Sequence, residues 1–420
     1  MHIQRVKIEN FRCIERFEEE FSRYSNIFCG VNGSGKTTIL QALEILFSWF
    51  IARFNNIKGN GTALKDDDIK YGADYCLLEV TLDDNTTWSL YRQHSRVRKP
   101  NPQKSNLKGL TERVNYIVEK ANKEEHYPIP VFTSFPVYRR AVATLPKRIH
   151  KKHALGKFDV YNSNADSKVN PHAFFVWFRE REDIENELYR YGKEGYKDSQ
   201  LEAVRQATSQ MISGYKNLRI ERPRGFVIEK NEEKFAFDQL SDGEKSYIIL
   251  TADIARLLAM ANPSPDENPL LASGIILIDE IDLHLHPKWQ REVLPQLRKV
   301  FPNCQFFITT HSPFVLSSAD ASNTIFVTEQ PYIRLVEDRI YGAEVSHILL
   351  DTLGLSSLRD RYVEQDIQEI WKLLNSGISK GEELKIKMLI GRLKEKLNPN
   401  DPEFVKISLQ KRWLESNKEG

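Results

Sequence analysis

The chain has 420 residues, 40% of them hydrophobic and 28% charged, with a mean hydropathy of -0.49, as expected of a protein that buries a sizeable core. That length suggests two or three structural units. No apolar run reaches the roughly 18 residues of a membrane span, and Met1 to Ile8 reads as a charged strand rather than a secretory leader. Cys13, Cys29, Cys76 and Cys304 lie far apart, without metal-site or disulfide spacing, so a reduced, cytoplasmic setting is expected.

Charge is spread unevenly beneath a net of +2. Between Arg92 and Lys157 stand sixteen Lys and Arg against four Glu and no Asp, which predicts one basic surface on an otherwise acidic body. Two readings stay open for it: a solvated face, or a contact for an anionic partner such as DNA, RNA or an acidic protein.

In chain order, short strands are expected over 2–29, where Val6 and Ile8 alternate with charged neighbours and Ile27 to Cys29 is apolar. A glycine-rich turn follows, then a helix from Thr38 to about Phe54. Residues 75–82 and 88–92 read as two strands, after which Pro100, Pro102, Pro128, Pro130 and Pro136 interrupt the pattern. A long helical segment is expected over 175–216 and strand alternation over 218–238. The all-apolar stretch 275–278 and the stretch 305–309 read as strands buried on both faces. The last 80 residues or so read as helical, with Ile367, Ile370, Trp371 and Leu374 on one stripe.

Four motifs carry chemistry. Gly30-Val31-Asn32-Gly33-Ser34-Gly35-Lys36-Thr37 fits G-x-x-x-x-G-K-[ST] between a strand and a helix. Its glycines let backbone N–H groups curl around phosphate oxygens, Lys36 puts a point charge at the β/γ-phosphates, and Thr37 suits Mg²⁺. The candidate ATP-binding set here is Gly30, Asn32, Gly33, Ser34, Gly35, Lys36, Thr37 and Thr38. Asp279 and Glu280 end an apolar strand, where parallel sheets present catalytic groups. Asp279 would join Thr37 in holding Mg²⁺, and Glu280 would polarise the attacking water. Ser241, Gly243 and Glu244 open an apolar helix. They form a capping box and at the same time offer a second phosphate cradle. His311 follows the second buried strand; a lone histidine is more often structural, but its place suits a γ-phosphate contact. His284 and His286 lack further ligands at metal-site spacing, so no metal is expected there.

These motifs, in this order, resemble an ABC-type ATPase head of the SMC/RecF/OLD branch, an α/β P-loop NTPase fold. Asn10-Phe11-Arg12 matches the N-F-R element of that branch, which implies that Arg12 approaches the nucleotide phosphates. Leu240 to Glu244 resembles the ABC signature, with Asp242 where transporters usually have glycine, and His311 matches the switch histidine. Ala252 to Arg256, Asp279 to Gln290 and Thr309 to Pro313 are similar to stand-alone RecF/OLD-like ATPases of the virulence-type ATP-binding class, found in anti-phage systems such as Septu and in retrons. Two departures stand out: His286 occupies the place of the D-loop aspartate of SMC heads, and no clear Q-loop glutamine is visible. The best region for that loop is 131–140, with Tyr138 and Arg139 as candidate nucleotide neighbours.

The resemblance implies division into an ATPase lobe in two parts, 1–91 and 218–330, a basic, mostly helical insert over 92–217, and a helical segment over 331–420. It implies ATP and Mg²⁺, and a head-to-tail homodimer in which each signature completes the other subunit's site. A separate effector, an HNH or Toprim nuclease, is the expected partner, because 326–331 lacks the Toprim Glu-Gly element and no D-x-D follows. The alternative is a RecF-like DNA-repair ATPase whose basic insert sits on nucleic acid. A transporter subunit fits the N-F-R start least well.

Overall fold

The computed structural model describes residues 1–99, 101–137, 156–161, 171–192, 195–221, 225–263, 267–329, 332–336, 340–375 and 380–416. They divide into two compact units, Met1–Ile348 and Leu349–Gly420.

The first unit opens with β1 (Ile3–Phe11), β2 (Ile14–Glu20) and β3 (Ser25–Cys29), then α1 (Lys36–Asn55), β4 (Tyr75–Leu82) and β5 (Thr87–Gln93). Next come α2 (Lys108–Lys123), β6 (Val131–Phe135), α3 (Pro171–Arg190) and α4 (Ser199–Met211). The chain continues through β7 (Tyr215–Glu221), β8 (Gly225–Lys230), β9 (Glu233–Ala236), α5 (Asp242–Ala261), β10 (Gly274–Ile278) and α6 (Pro287–Val300). It ends with β11 (Cys304–Thr310), α7 (Pro313–Leu316), β12 (Thr324–Glu329), β13 (Tyr332–Leu335) and α8 (Val345–His347).

Three sheets result: β2-β1-β4-β5, β13-β12-β3-β11-β10-β6, and β7-β8-β9. In the six-stranded sheet all neighbours run parallel except β13, which pairs antiparallel with β12 at one edge. Every residue of β3, β6, β10 and β11 is buried, the burial expected of parallel strands covered on both faces. Parallel running delivers the loops after β3, β10 and β11 to one edge of the sheet, where α/β folds place their ligands.

α1 lies between β4 of the antiparallel sheet and β11 of the parallel one. It has the length and apolar composition of a membrane-crossing helix. Its aromatic residues are instead used inside the protein: Phe47 stacks on Phe132 and meets Trp88 edge-on, and Phe50 meets Tyr161. Burying each such side chain contributes about 1.5–3 kcal/mol.

The stretch expected to be a basic insert is woven into this unit. β6, from its middle, pairs with β10, and α2 packs on α1. Pro128, Pro130 and Pro136 flank β6 rather than interrupt a lobe, because a proline just outside a strand removes no ladder hydrogen bond. The helical run expected over 175–216 is two helices. Asp198 caps the second, its carboxylate accepting the Gln200 and Leu201 N–H groups at 3.1 and 3.0 Å. The segment expected to be helical from 331 begins with β13 on the sheet edge. Tyr138, Arg139 and the densest basic cluster, Lys147, Arg148, Lys151 and Lys152, lie outside the described residues.

The second unit contains α9 (Arg361–Asn375), α10 (Lys380–Lys396) and α11 (Pro402–Ser416). Val363, Ile367, Ile370 and Leu374 of α9 form a core with Ile386, Leu389 and Leu393 of α10 and Ile407 of α11. The Arg359 guanidinium clamps both Asp401 oxygens at 2.8 Å.

Candidate nucleotide site

The phosphate loop leaves β3 at Cys29 and turns through Gly30, Gly33 and Gly35, all at positive φ. At Gly30 the reason is also steric, since a Cβ there would stand 2.5 Å from the Thr328 carbonyl oxygen. Gly35 starts α1 with no side-chain cap, which leaves first-turn N–H groups free to bind an anion. The Ser34 hydroxyl shares a 2.5 Å hydrogen bond with Thr328, whose hydroxyl also donates to the Cys29 carbonyl at 3.0 Å. Val31, Asn32 and Gly33 form the exposed tip. Lys36 is buried and folds back over the loop, donating to the Gly30 and Val31 carbonyls at 3.1 and 2.9 Å. Burial pushes its ammonium pKa down, while Glu280 and Asp279 oppose that shift.

The acid pair meets the loop directly. The Thr37 hydroxyl lies 3.1 and 3.2 Å from the two Asp279 oxygens, so β3 and β10 deliver the expected Mg²⁺ pair side by side. A hydroxyl and a carboxylate are hard oxygen donors, and Mg²⁺ usually takes few protein ligands because phosphate oxygens and water complete its shell. These residues fit that ion. Thr309, at the end of β11, donates to Asp279 Oδ1 at 2.5 Å and accepts the Glu280 N–H at 2.7 Å. Glu280 itself sits at φ 47°. The Asp279 N–H donates to the Phe135 carbonyl at 2.9 Å, so the chain leaving β6 borders the acid pair.

His311 reaches the same edge from β11, beside the Gly30 backbone. Burial and then the Lys36 charge push its imidazole pKa down, against Asp282 and Glu280. Asp282 accepts the Thr310 hydroxyl at 2.5 Å and the His311 N–H at 3.3 Å, fastening the two loops together. Arg12 lies beside α1. Its guanidinium holds Asp68 at 2.9 and 3.0 Å and donates to Gln41, and neighbouring Cys13 is 3.4 Å from the Thr38 hydroxyl.

The signature residues occupy a different surface. Ser241 and Asp242 are exposed at the start of α5. The Ser241 hydroxyl accepts the Glu244 N–H at 3.3 Å, and the Glu244 carboxylate accepts the Ser241 N–H at 2.7 Å. That carboxylate also takes Lys230 at 2.6 Å and the Tyr215 hydroxyl. Burial raises the Glu244 pKa, but these hydrogen bonds outweigh it and hold the group at about 2. A Cβ on Gly243 would stand 2.2 Å from the His284 carbonyl, so only glycine lets α5 settle on the loop after the acid pair. His286, at the place of the D-loop aspartate, caps α6 by accepting the Lys288 N–H at 3.2 Å. Among the described residues, no group of three or more His, Cys, Asp or Glu could hold a metal ion.

Comparison with known proteins matches residues 25–317 to the family described as "AAA domain, putative AbiEii toxin, Type IV TA system". The chain belongs to this family. With its motif set, that makes it an ABC-type ATPase of the SMC/RecF/OLD branch. It is 26% identical to the Retron Ec83 probable ATPase of Escherichia coli over 98% of this chain and 86% of that one. It is also 26% identical to the Septu protein PtuA of Bacillus thuringiensis, over 97% of each chain. Among solved structures it is similar to the SMC head domain of Thermotoga maritima, with a TM-score of 0.43, 16% identity, and coverage of 81% of this chain and 100% of that chain.

Thr309, Asp282, Thr328, Asp68 and Gln41 position the site, yet the motif reading assigns them nothing. Thr309 and Asp282 stand inside quoted motifs, where a hydroxyl one strand from a carboxylate is a readable signal. Asp68, 56 residues from Arg12, gives none.

Proposed function

We propose that this ATPase binds ATP between two head-to-tail copies of itself and controls a separate effector, a nuclease, in bacterial defence against phage. The observation that carries the nucleotide part is the contact of Thr37 with Asp279 beside buried Lys36, with Glu280 and His311 on the adjoining strand ends. In this reading the loop N–H groups and Lys36 bind the β- and γ-phosphates, and Thr37 and Asp279 would hold Mg²⁺, which neutralises phosphate charge when bound. Glu280 polarises the attacking water and His311 contacts the γ-phosphate. The exposed Ser241 of one copy, with buried Gly243 behind it at the same helix start, covers the γ-phosphate held by the other. Glu244 contributes by fixing that helix start, since its carboxylate is committed within its own chain.

The retron and Septu names of the relatives support the defence role. Phage challenge of cells carrying this gene with and without its neighbours tests it: protection should require both this chain and a neighbouring nuclease gene, and protection by this chain alone would contradict the effector. The basic composition of 92–157 favours a second reading, a RecF-like ATPase that binds DNA. Replacing Lys147, Arg148, Lys151 and Lys152 by Ala would then flatten the salt dependence of duplex binding by up to about 3.6 log units per log unit of salt. Parallel slopes for the two proteins would return the cluster to a solvated face or a protein dock.

A further inference from the structure

The first turn of α6 touches the loop that follows the acid pair, the loop that carries His311, and the signature helix. The Gln290 amide donates to the carbonyl oxygens of Asp282 and Leu285 at 3.3 and 2.8 Å, gripping the loop that follows Glu280. Its Oε1 accepts the Ser312 hydroxyl at 2.7 Å, directly after His311. Beside it, the Trp289 ring meets Tyr247 of α5 and Tyr215 of β7, with centroids 5.8 and 6.4 Å apart. The gripped loop is the one on which Gly243 rests, and it holds Glu280 and His284 at φ 47° and 64°. Non-glycine residues rarely keep such angles unless their surroundings enforce them.

We propose that Gln290 is a positioning residue for hydrolysis: its amide locks the acid-pair loop to the switch-histidine loop, and so places Glu280 and His311 against one γ-phosphate. The same turn carries Trp289 against the signature helix, so seating of a partner copy on Ser241 reaches Glu280 through α6. This inference rests on Glu280 being the group that polarises water. Gln290 makes none of its hydrogen bonds to residues 30–38. Its removal should therefore leave ATP capture alone and slow the chemistry.

Three variants test this: Gln290→Leu, Gln290→Glu, which keeps the shape but loses both N–H donations, and Glu280→Gln as the control. The measurements are kcat and KM for ATP, affinity for a fluorescent ATP analogue, and the thermal midpoint. Both Gln290 variants should lower kcat by about tenfold to a hundredfold with KM and affinity within about twofold of wild type, because small misplacements of reacting groups act on the transition state. A wild-type kcat in Gln290→Glu would overturn the proposal. So would a fall in kcat in that variant matched by loss of affinity and thermal midpoint, which would make Gln290 merely structural. If Glu280→Gln hydrolyses at the wild-type rate, the assignment of Glu280 fails first. If Glu280→Gln is slow and both Gln290 variants are fast, only the positioning role fails.

Discussion

Two helices in this protein start where phosphate is expected, and they start in opposite ways. α1 begins at Gly35 in the left-handed region with no side chain on its first N–H groups. α5 begins at Ser241, where the Ser241–Glu244 box closes the N–H groups of both residues, and Glu244 is pinned further by Lys230 and Tyr215. An open start depends on an anion to satisfy its donors, so it binds phosphate strongly. A closed start is stable without one and presents a fixed hydroxyl face. In the proposed reading the first is a binding site within its own chain, and the second is a surface that presses against the site of another copy.

The largest effect that would sharpen this contrast concerns neither helix start but the group between them. Glu280→Gln should lower kcat by about a hundredfold to ten-thousandfold, the usual contribution of a positioned general base, while ATP affinity stays near wild type. Single-turnover hydrolysis with labelled ATP measures it, and an unchanged rate would remove Glu280 from the chemistry.

Lys36→Ala comes next. Hydrogen bonds to charged groups contribute up to about 3 kcal/mol, so ATP affinity should fall by about a hundredfold, as read by calorimetric titration. The equivalent loss at the closed start should be small for binding in cis: Ser241→Ala should change nucleotide affinity of the isolated subunit by less than about twofold. A large loss there would mean that α5 serves its own chain's nucleotide.

The smallest effect is on stability. Glu244→Ala removes the carboxylate half of the capping box and strips Lys230 and Tyr215 of their acceptor, which should destabilise the fold by about 1 kcal/mol at neutral pH. The folded carboxyl sits at about 2, below the ordinary 4.5, so wild type keeps this stabilisation above pH 4.5 and loses it as the pH falls through that range. The gap in thermal midpoint between wild type and variant should close with it. A gap that widens towards low pH would contradict the depressed carboxyl.

The contrast also explains what the sequence makes legible. Gly30 to Thr37, Asp279-Glu280 and His311 are readable because each ends a buried strand, and a parallel sheet brings strand ends together whatever lies between them. Ser241-x-x-Glu244 is readable as a box because its partners are three residues apart. β6 is missed as a sheet strand because its five residues stand among prolines and basic residues, and nothing local says that they pair with β10. The grips of Gln290 on Ser312 and Asp68 on Arg12 span 22 and 56 residues, and only the assembled fold sets such distances. His286, a departure from the family aspartate at its place, has a local role that the sequence does not show: its ring caps α6.

The central claim, that the open and closed starts meet across two copies, is tested most directly by mixing two inactive proteins. Lys36→Ala lacks a working phosphate loop but keeps its signature, and Ser241→Arg keeps the loop but spoils the signature. In a confirmed heterodimer, one site pairs the intact loop with the intact signature, so ATP hydrolysis should return to about one active site per heterodimer while each variant alone stays inactive. Confirmed heterodimers with no recovered hydrolysis would contradict the shared site.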